Sequence, residues 1–423
     1  MRAPVFDISD WLGLTLAKRL VQPAQWEDRM IDIFRRLGVS RLINVSGTET
    51  PFGAAPVCQE VIAAVTELVP YSVCMAELQS VACAVVARAT GAEAGCVTGC
   101  TAASIAIAVA ATMTGRHLGL VEQLPDTTGL KNEVVMQKGH EVTYGQNVSQ
   151  NVRLTGARVI EIGAATQCAV YQLRQAITPR TTAGLYVVSS LTVQNRLIDL
   201  RSFCEVCHAA GVPVIVDAAS QSDPRVYLKD GADLVLFSAH KQFASLTAGI
   251  VAGKKELVQA CMYQEHGIGR PMKPGKESVV GTIVAMERWI KAGNDFDGLA
   301  LMARMRKALH RLNTIKGVHT TIERKQLKLQ VTAAEAGITA YGLAHALRVE
   351  EPAIVLWHHY ADVGTLMLNL SKVDDETADY VCGRIAAVCA AGKGAAAYPP
   401  LPNLGDSVEA ELARWPLPVS QSQ

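Results

Sequence analysis

The sequence predicts an α/β protein with a mostly parallel, doubly wound sheet and a smaller C-terminal α+β domain. The chain has 423 residues, of which 49% are apolar and 19% charged, so it can bury more than one core. From about residue 41 to residue 260, short apolar runs alternate with helical patterns, which is typical of βαβ units. The apolar runs are continuous rather than alternating, and this predicts strands that are covered on both faces.

The strands and helices of the large sheet follow from these two patterns. Continuous apolar runs predict the strands Glu133–Gln137, Arg158–Ile162, Leu185–Ser189, Val212–Val216, Leu234–Phe237 and Gly249–Ala252. Helical periodicity predicts the helices Val57–Leu68, Leu78–Thr90, Ala102–Met113, Val170–Ala176, Leu200–Ala210 and Lys255–Tyr263. We therefore expect most connections to be helical crossovers between parallel strands.

Three segments are expected along the chain: an N-terminal helical arm (1–40), a large domain (41–295) and a small α+β domain (296–423). A long helical pattern, Val279–Leu312, joins the last two. The small domain is predicted to contain the strands Thr320–Ile322, Leu327–Val331, Ala353–Leu356 and Thr365–Leu370 and the helices Tyr341–Leu347 and Asp375–Ala390. The proline-rich tail from Gly392 is predicted to be irregular.

Charge and cysteine content exclude several classes of protein. Forty Lys and Arg against 39 Asp and Glu give a formal charge of +1, without the basic excess of a nucleic-acid-binding protein. Eleven scattered cysteines indicate reduced thiols and a cytoplasmic location. The most apolar run, Ala102–Met113, is too short to cross a membrane.

The sequence does not predict a metal site. His358 and His359 are the candidate ligands, but no clustered Cys or carboxylate residues accompany them in the sequence.

Two strand ends contain the residues that point to a chemistry. Asp217 ends the run Val212–Val216, and Lys241 lies 24 residues later, just beyond the run Leu234–Phe237. An acid and an amine at neighbouring strand ends are the usual pair of a pyridoxal-phosphate (PLP) enzyme. The amine forms an imine with the cofactor aldehyde, and the carboxylate holds the proton on the pyridine nitrogen. Either residue alone would be an ordinary cap or a surface lysine, but the spacing favours the pair.

A phosphate site is predicted at the start of the helix Ala102–Met113. Gly99, Cys100 and Thr101 form a turn before this helix, where free backbone N–H groups and the positive end of the helix dipole attract an anion. Ser238, three residues before Lys241, is the expected hydroxyl donor to a phosphate oxygen.

His140 follows the strand Glu133–Gln137 and is the candidate for an aromatic ring stacked on the cofactor. A lone histidine at a strand end is more often structural. Its position between the predicted phosphate turn and the Asp217–Lys241 pair favours the stacking role.

Further motifs make the chain similar to a known family. They are Leu42-Ile-Asn-Val-Ser-Gly-Thr-Glu-Thr50, Met75-Ala-Glu-Leu-Gln79, Thr90-Gly-Ala-Glu93, Gln137-Lys-Gly-His140, Leu154-Thr-Gly-Ala157, Val216-Asp-Ala-Ala219, Phe237-Ser-Ala-His-Lys241 and Ile268-Gly-Arg-Pro-Met-Lys-Pro-Gly-Lys-Glu277. Over roughly residues 41–286 the sequence resembles the fold-type I PLP enzymes of the selenocysteine synthase (L-seryl-tRNA selenium transferase) family, in the branch that contains D-glucosaminate-6-phosphate ammonia-lyase.

The resemblance implies a role for each motif residue. Lys241 is expected to hold the cofactor covalently, Asp217 to face the pyridine nitrogen and His140 to stack on the ring. The other expected cofactor-binding residues are Gly99, Cys100, Thr101, Ser220, Ser238, His240 and Thr282, the last toward a neighbouring subunit. Arg270, Lys273 and Thr50 are expected near substrate. Active sites at subunit interfaces imply a homodimer or a higher homo-oligomer.

Two departures from the family pattern leave the substrate open. His240 before Lys241 is more similar to the His-Lys pair of class V aminotransferases, cysteine desulfurases and serine hydroxymethyltransferase. The strand Thr365–Leu370 lacks the arginine that often binds the substrate carboxylate, so Arg270, Lys273 or the pair His358 and His359 is left for that role. Only about forty residues precede the predicted large domain, so we do not expect the N-terminal tRNA-binding domain of selenocysteine synthases. This argues against a tRNA substrate.

The predicted reaction begins with removal of the α-proton of a small polar or charged amino acid by Lys241. β-Elimination, as in an ammonia-lyase or other lyase, is the favoured outcome. A transferase reaction, either β-replacement or transamination, is the alternative, followed by aldolase or racemase activity. A non-catalytic partner subunit is the remote alternative, because both Asp217 and Lys241 are present.

Overall fold

The computed structural model describes residues 33–34, 36–192, 194–293, 298–392 and 404–415. The chain divides into two compact units: a large unit, Thr48–Ala300, and a smaller one made of the described residues up to Gly47 together with those from Leu301 onward. The sequence predicts that the large domain begins at residue 41, ahead of the first observed strand, Leu42–Asn44. The structure places this strand in the smaller unit, because it pairs in parallel with Ala353–Val355. The predicted N-terminal arm lies almost entirely outside the described residues.

A seven-stranded sheet forms the centre of the large unit. From one edge to the other its strands are Ala94–Thr98, Gly249–Gly253, Leu234–Ser238, Val214–Asp217, Thr181–Val187, Glu133–Gln137 and Arg158–Ile162. The last five of these are parallel to one another, whereas Gly249–Gly253 is antiparallel to both of its neighbours. The prediction of a mostly parallel sheet is confirmed.

The sequence analysis missed the edge strand Ala94–Thr98. Its five residues include Gly95, and alanine and glycine are depleted in strands, so the segment carries little strand signal. It is nevertheless fully buried and forms a continuous antiparallel ladder with Gly249–Gly253. Pairing in the folded sheet, rather than local preference, makes this segment a strand.

Helices cover both faces of the large sheet. They are Gln59–Leu68, Met75–Thr90, Thr101–Thr114, Leu118–Gln123, Val148–Arg153, Val170–Ala176, Leu200–Ala209, Arg225–Lys229, Lys255–Tyr263 and Lys276–Ala292. Successive residues of one strand belong to different cores: Val214 and Val216 lie in one apolar cluster and Ile215 in the other. This alternation explains the continuous apolar runs, since each side chain meets a helix layer whichever face it occupies.

The smaller unit contains a four-stranded antiparallel sheet in the order Trp357–Tyr360, Thr365–Leu368, Gln326–Val331, Val318–Glu323. Its helices are Gly298–Leu312, Ala333–Ala336, Ala340–Arg348, Asp375–Ala391 and Leu404–Ala413. The last of these differs from the irregular tail that was predicted.

One predicted helix is in fact two. The pattern Val279–Leu312 is interrupted where Lys276–Ala292 ends at Gly293, a glycine with φ of 59°. Glycine adopts this left-handed conformation without a steric cost, so the chain leaves the helix there. Among the described residues, no helix is both long enough and apolar enough to cross a bilayer.

Candidate active site

One edge of the large sheet brings together the strand ends that the sequence analysis selected. Asp217 is paired with Val187 on one side and with Leu236 on the other. Two residues beyond Leu236, Ser238 pairs with Gly249, which in turn pairs with Thr98. The carboxyl ends of the parallel strands therefore meet at one edge, where ligands of open α/β sheets bind.

Asp217 is 6% exposed, and burial raises the pKa of its carboxyl group to about 6. The N–H of Ala219 donates to Oδ1 over 3.1 Å, and the positive charge of Lys241 also acts on the group; both lower the pKa and so oppose burial. A carboxylate in this setting is ionised most readily when a cation lies against it. The site therefore favours a positively charged partner for Asp217.

Lys241 lies in the turn after Leu234–Ser238 and is partly buried. Burial lowers the pKa of its amine, and the charge of Asp217 opposes that effect. The charges of the two side chains thus act on each other. A lowered pKa increases the fraction of lysine present as the neutral amine, which is the form that acts as nucleophile and base.

The predicted phosphate turn begins the helix Thr101–Thr114. Cys100 is its N-cap, with its Sγ accepting from the N–H of Ala103 at 3.4 Å. The N–H groups of Thr101 and Ala102 have no hydrogen-bond partner within the described part of the chain. The Thr101 hydroxyl is hydrogen-bonded to that of Ser238, 137 residues away in sequence. Two hydroxyls and a free helix N-terminus suit an anion better than a cation.

Positions 99 and 249 require glycine because neighbouring backbone atoms leave no room for a Cβ atom. A Cβ on Gly99 would lie 2.7 Å from the carbonyl oxygen of Met272, and one on Gly249 would lie 2.5 Å from the carbonyl group of Cys100. The Gly99 N–H donates to Met272 over 2.9 Å. Gly99 therefore contributes by its missing side chain rather than by a free N–H, which corrects the sequence-based role.

His140 is completely buried, with 0% exposure. The N–H of Val187 donates to its Nδ1 at 3.2 Å, and its Nε2 lies 3.3 Å from Oε1 of Gln194. Burial lowers the pKa of the imidazole to about 4, so the ring is neutral. The sequence predicts that this ring stacks on the cofactor. In this structure protein covers the ring, and the stacking role stays a prediction.

The residues expected near substrate lie on two segments next to this edge. Arg270 opens the short helix Arg270–Met272, and both it and Lys273 are exposed. Because Met272 binds Gly99, this segment is attached to the phosphate turn. Thr50 is also exposed, and its turn is tied to the Lys241 turn by the Ala55 N–H, which donates to the His240 carbonyl over 3.1 Å.

Two further residues expected at the cofactor, Ser220 and His240, lie near Lys241. The Ser220 carbonyl accepts from the side-chain amide of Gln242 at 3.1 Å. His240 has a buried Nδ1 without a hydrogen-bond partner among the described residues, and burial lowers the pKa of its ring. A buried ring nitrogen without a partner costs stability unless a ligand supplies one.

Thr282 lies on a helix that packs against the segment following Lys241. It is 0% exposed in the helix Lys276–Ala292, and its hydroxyl donates to the carbonyl of Ser278 over 2.8 Å. Its neighbour Gly281 packs so closely that a Cβ there would lie 2.9 Å from Oγ of Ser245. The hydroxyl is used within its own helix in this chain, and the expected role of Thr282 toward a neighbouring subunit stays a prediction.

Tyr144 is a residue near the site that the sequence analysis did not select. Burial raises the pKa of its phenol to about 12, and the negative charge of Asp217 raises it as well. Its hydroxyl accepts a hydrogen bond from the side chain of Asn151. The signal that could have found it is its position in the loop directly after the strand Glu133–Gln137, which ends at the same edge.

Comparison with known proteins identifies the family. The L-seryl-tRNA selenium transferase family (SelA) matches residues 42–387. The chain belongs to this family. It is 33% identical over 361 residues to D-glucosaminate-6-phosphate ammonia lyase of Salmonella typhimurium, covering 84% of this chain and 97% of that protein.

Two further similarities extend over most of the chain. It is 32% identical over 361 residues to 5'-C-glycyluridine monooxygenase-decarboxylase of a Streptomyces species, covering 83% and 90% of the two proteins. A solved structure of D-glucosaminate-6-phosphate ammonia-lyase is similar with a TM-score of 0.77 at 33% identity, covering 85% of this chain and 98% of that one. The chain is a fold-type I enzyme, and its cofactor is PLP.

The donor set fits this cofactor. Hydroxyls and free N–H groups at a helix start suit a phosphate, a buried carboxylate suits a pyridinium, and a partly desolvated amine suits an aldehyde. The unpartnered Nδ1 of His240, next to Lys241, is a further polar atom that a ligand would satisfy.

Proposed function

We propose that this protein is a PLP-dependent lyase that removes the α-proton of a small, anionic amino acid and then expels a β-substituent. The observation that carries the proposal is that Asp217 ends one strand and Lys241 follows the parallel strand paired with it, both at the carboxyl edge of the sheet. PLP, when bound, supplies an aldehyde for a covalent link and an electron-withdrawing ring that stabilises negative charge at the α-carbon.

Each residue of the pair has one task. Lys241 holds the cofactor and, once substrate has displaced it, accepts the α-proton on Nζ; its lowered pKa supports this role. Asp217 keeps the proton on the pyridine nitrogen, and its burial strengthens the attraction because few water molecules screen the charges.

The phosphate is assigned to the Thr101 and Ser238 hydroxyls and the start of the helix Thr101–Thr114. This cradle contains no lysine or arginine, so the helix dipole and the hydrogen bonds provide the attraction. His240 is assigned to the same site through its unpartnered Nδ1.

Arg270 and Lys273 are assigned to the anionic group of the substrate. Arg270 lines a surface cavity of 420 Å³ together with Glu265, His266 and Gly267. The Gly99–Met272 hydrogen bond attaches this segment to the phosphate turn, which supports a substrate site beside the cofactor. The relative in Salmonella typhimurium is named for D-glucosaminate 6-phosphate, so this compound is the first substrate to test.

The setting in the cell and the assembly are part of the proposal. All eleven cysteines are free thiols, which supports a cytoplasmic location. Exposed apolar side chains at Ile62, Val69, Tyr71 and Met75 of the large unit support a homo-oligomer. Sedimentation analysis of the pure protein tests the proposed homo-oligomer, and a monomer at all concentrations would contradict it.

The decisive experiment is reconstitution with PLP. We expect a visible absorbance band that borohydride abolishes. The reduced pyridoxyl group should then be recovered on the peptide that contains Lys241. K241A should lose the band, whereas K229A, which removes an exposed lysine on the helix Arg225–Lys229, should keep it. Wild-type protein without the band would overturn the proposal.

The reaction is then decided by a panel of phosphorylated, sulfonated and unsubstituted amino acids. A lyase releases ammonia and a keto acid without a second substrate. A transaminase requires an added keto acid, and β-replacement requires an added nucleophile. Turnover that depends on either addition would favour the transferase alternative.

A further inference from the structure

The hydrogen bonds around His140 leave only one arrangement of its proton. The Val187 N–H donates to Nδ1, so this nitrogen is unprotonated. A neutral imidazole then carries its proton on Nε2, where the Oε1 of Gln194 is the acceptor at 3.3 Å. Because His140 has no exposure, water does not provide a substitute.

The orientation of the Gln194 amide is also determined. Its Nε2 donates to the hydroxyl of Tyr186 over 2.6 Å, and that hydroxyl donates to the carbonyl of Ile198 over 3.2 Å. A phenol has a single hydrogen, and the Ile198 carbonyl can only accept, so the Tyr186 oxygen must accept from the amide. The carbonyl end of Gln194 is therefore left for His140.

This chain of hydrogen bonds is attached to the strand beside Asp217. Val187, which holds Nδ1, pairs directly with Asp217 in the sheet. The ring of Tyr186 packs edge-on against His140, with centroids 4.4 Å apart and an interplanar angle of 75°. A change in the rotation or charge of His140 would therefore act on the strand that pairs with Asp217.

We propose that Gln194 is a positioning residue, whose amide fixes the neutral Nε2–H form and the rotation of His140. This inference rests on the proposed function, because it concerns the surroundings of PLP. A neutral acceptor suits the task, since an imidazolium, which is also protonated on Nδ1, could no longer accept from the Val187 N–H. Glutamate at this position would instead stabilise the imidazolium.

The first test observes the proton itself. In full-length apo protein labelled with ¹⁵N-histidine, we expect one hydrogen-bonded Nε2–H signal, assigned to His140 among the ten histidines by its loss in H140N. Q194L should remove or strongly shift this signal, and Y186F should weaken it by releasing the amide. Q194E should retain it, because a carboxylate also accepts. Q167L, which replaces an exposed loop glutamine, is the matched control and should leave it unchanged.

The second test measures the holoenzyme. Q194L should keep the borohydride-sensitive band but lower kcat by about 10- to 100-fold with KM nearly unchanged, since misplaced groups near the reacting atoms reduce the rate. An unchanged Nε2–H signal, or an unchanged kcat, in Q194L would overturn the inference. Wild-type protein lacking the band would instead contradict the proposed function, while the apo measurement would still decide the role of Gln194.

Discussion

The N–H of Gly99 donates to the carbonyl oxygen of Met272 over 2.9 Å, so the turn that begins the helix Thr101–Thr114 is attached to the segment of Arg270 and Lys273. The two are 173 positions apart in sequence, and no side chain takes part in the bond. The contact places a proposed cofactor site and a proposed substrate site against each other. The contact also requires glycine at position 99, because a Cβ there would lie too close to Met272.

Replacing Gly99 with alanine should disturb both sites. A Cβ would lie 2.7 Å from the Met272 oxygen, so backbone must move, at a cost of about 1 to 3 kcal/mol in the free energy of unfolding. Chemical unfolding measures this cost, and substrate KM should rise with it. G119A is the control, because a Cβ at Gly119 meets nothing within 4 Å. Equal stability of G99A and wild type would contradict the crowding argument.

The affinity for PLP should depend on pH through Asp217. Burial raises the pKa of the free carboxyl to about 6, and a bound pyridinium lowers it again. Since the bound-state pKa is the lower one, the contribution of Asp217 to affinity is present above pH 6 and lost as the pH falls below it. Affinity should drop by up to roughly tenfold per pH unit there. D217N should lack this dependence, as titration with PLP at several pH values would show. A parallel slope in D217N and wild type would exclude Asp217 as its source.

Removing the Ser238 hydroxyl should weaken phosphate binding. Ser238 is 2% exposed and its hydroxyl is paired with that of Thr101, so S238A leaves one donor in place of two. Hydrogen bonds to charged groups contribute about 1.5 to 3 kcal/mol, so the Kd for PLP should rise roughly tenfold or more. T114V removes a buried hydroxyl at the far end of the same helix and should change stability but not PLP affinity. Unaltered binding by S238A would remove Ser238 from the phosphate site.

Arg270 should discriminate among substrates without affecting the cofactor. R270A should raise KM for phosphorylated or other anionic amino acids roughly tenfold, with little change for neutral ones, because one charged hydrogen-bond donor is lost. PLP content should be unchanged. R116A, which removes an exposed arginine just after the far end of the helix Thr101–Thr114, is the control. An equal change for anionic and neutral substrates would argue against a charge-specific role.

Much of the site was predictable because its residues follow apolar strands. A parallel sheet brings its carboxyl ends to one edge, so Asp217 and the segment of Lys241 could be grouped without coordinates. The segment of Thr101 follows Ala94–Thr98, which the sequence does not predict as a strand, and only the glycine turn before its helix indicated a site. Thr282 could not be judged in this way, because its hydroxyl is used within its own helix by Ser278. Gln194 lies in a loop with no periodic pattern, and only its contacts with His140 and Tyr186 distinguish it.

The sequence by itself determined the fold class, the cofactor and the Asp217–Lys241 pair, because these depend on periodicity and on residue types at strand ends. Tertiary structure alone decided that Leu42–Asn44 joins the smaller unit, that Ala94–Thr98 is a strand and that protein covers the His140 ring. These features arise from pairing and packing between segments far apart in the chain. Local conformational preference does not encode such contacts, since each depends on which distant segment packs or pairs against the residues in the folded chain.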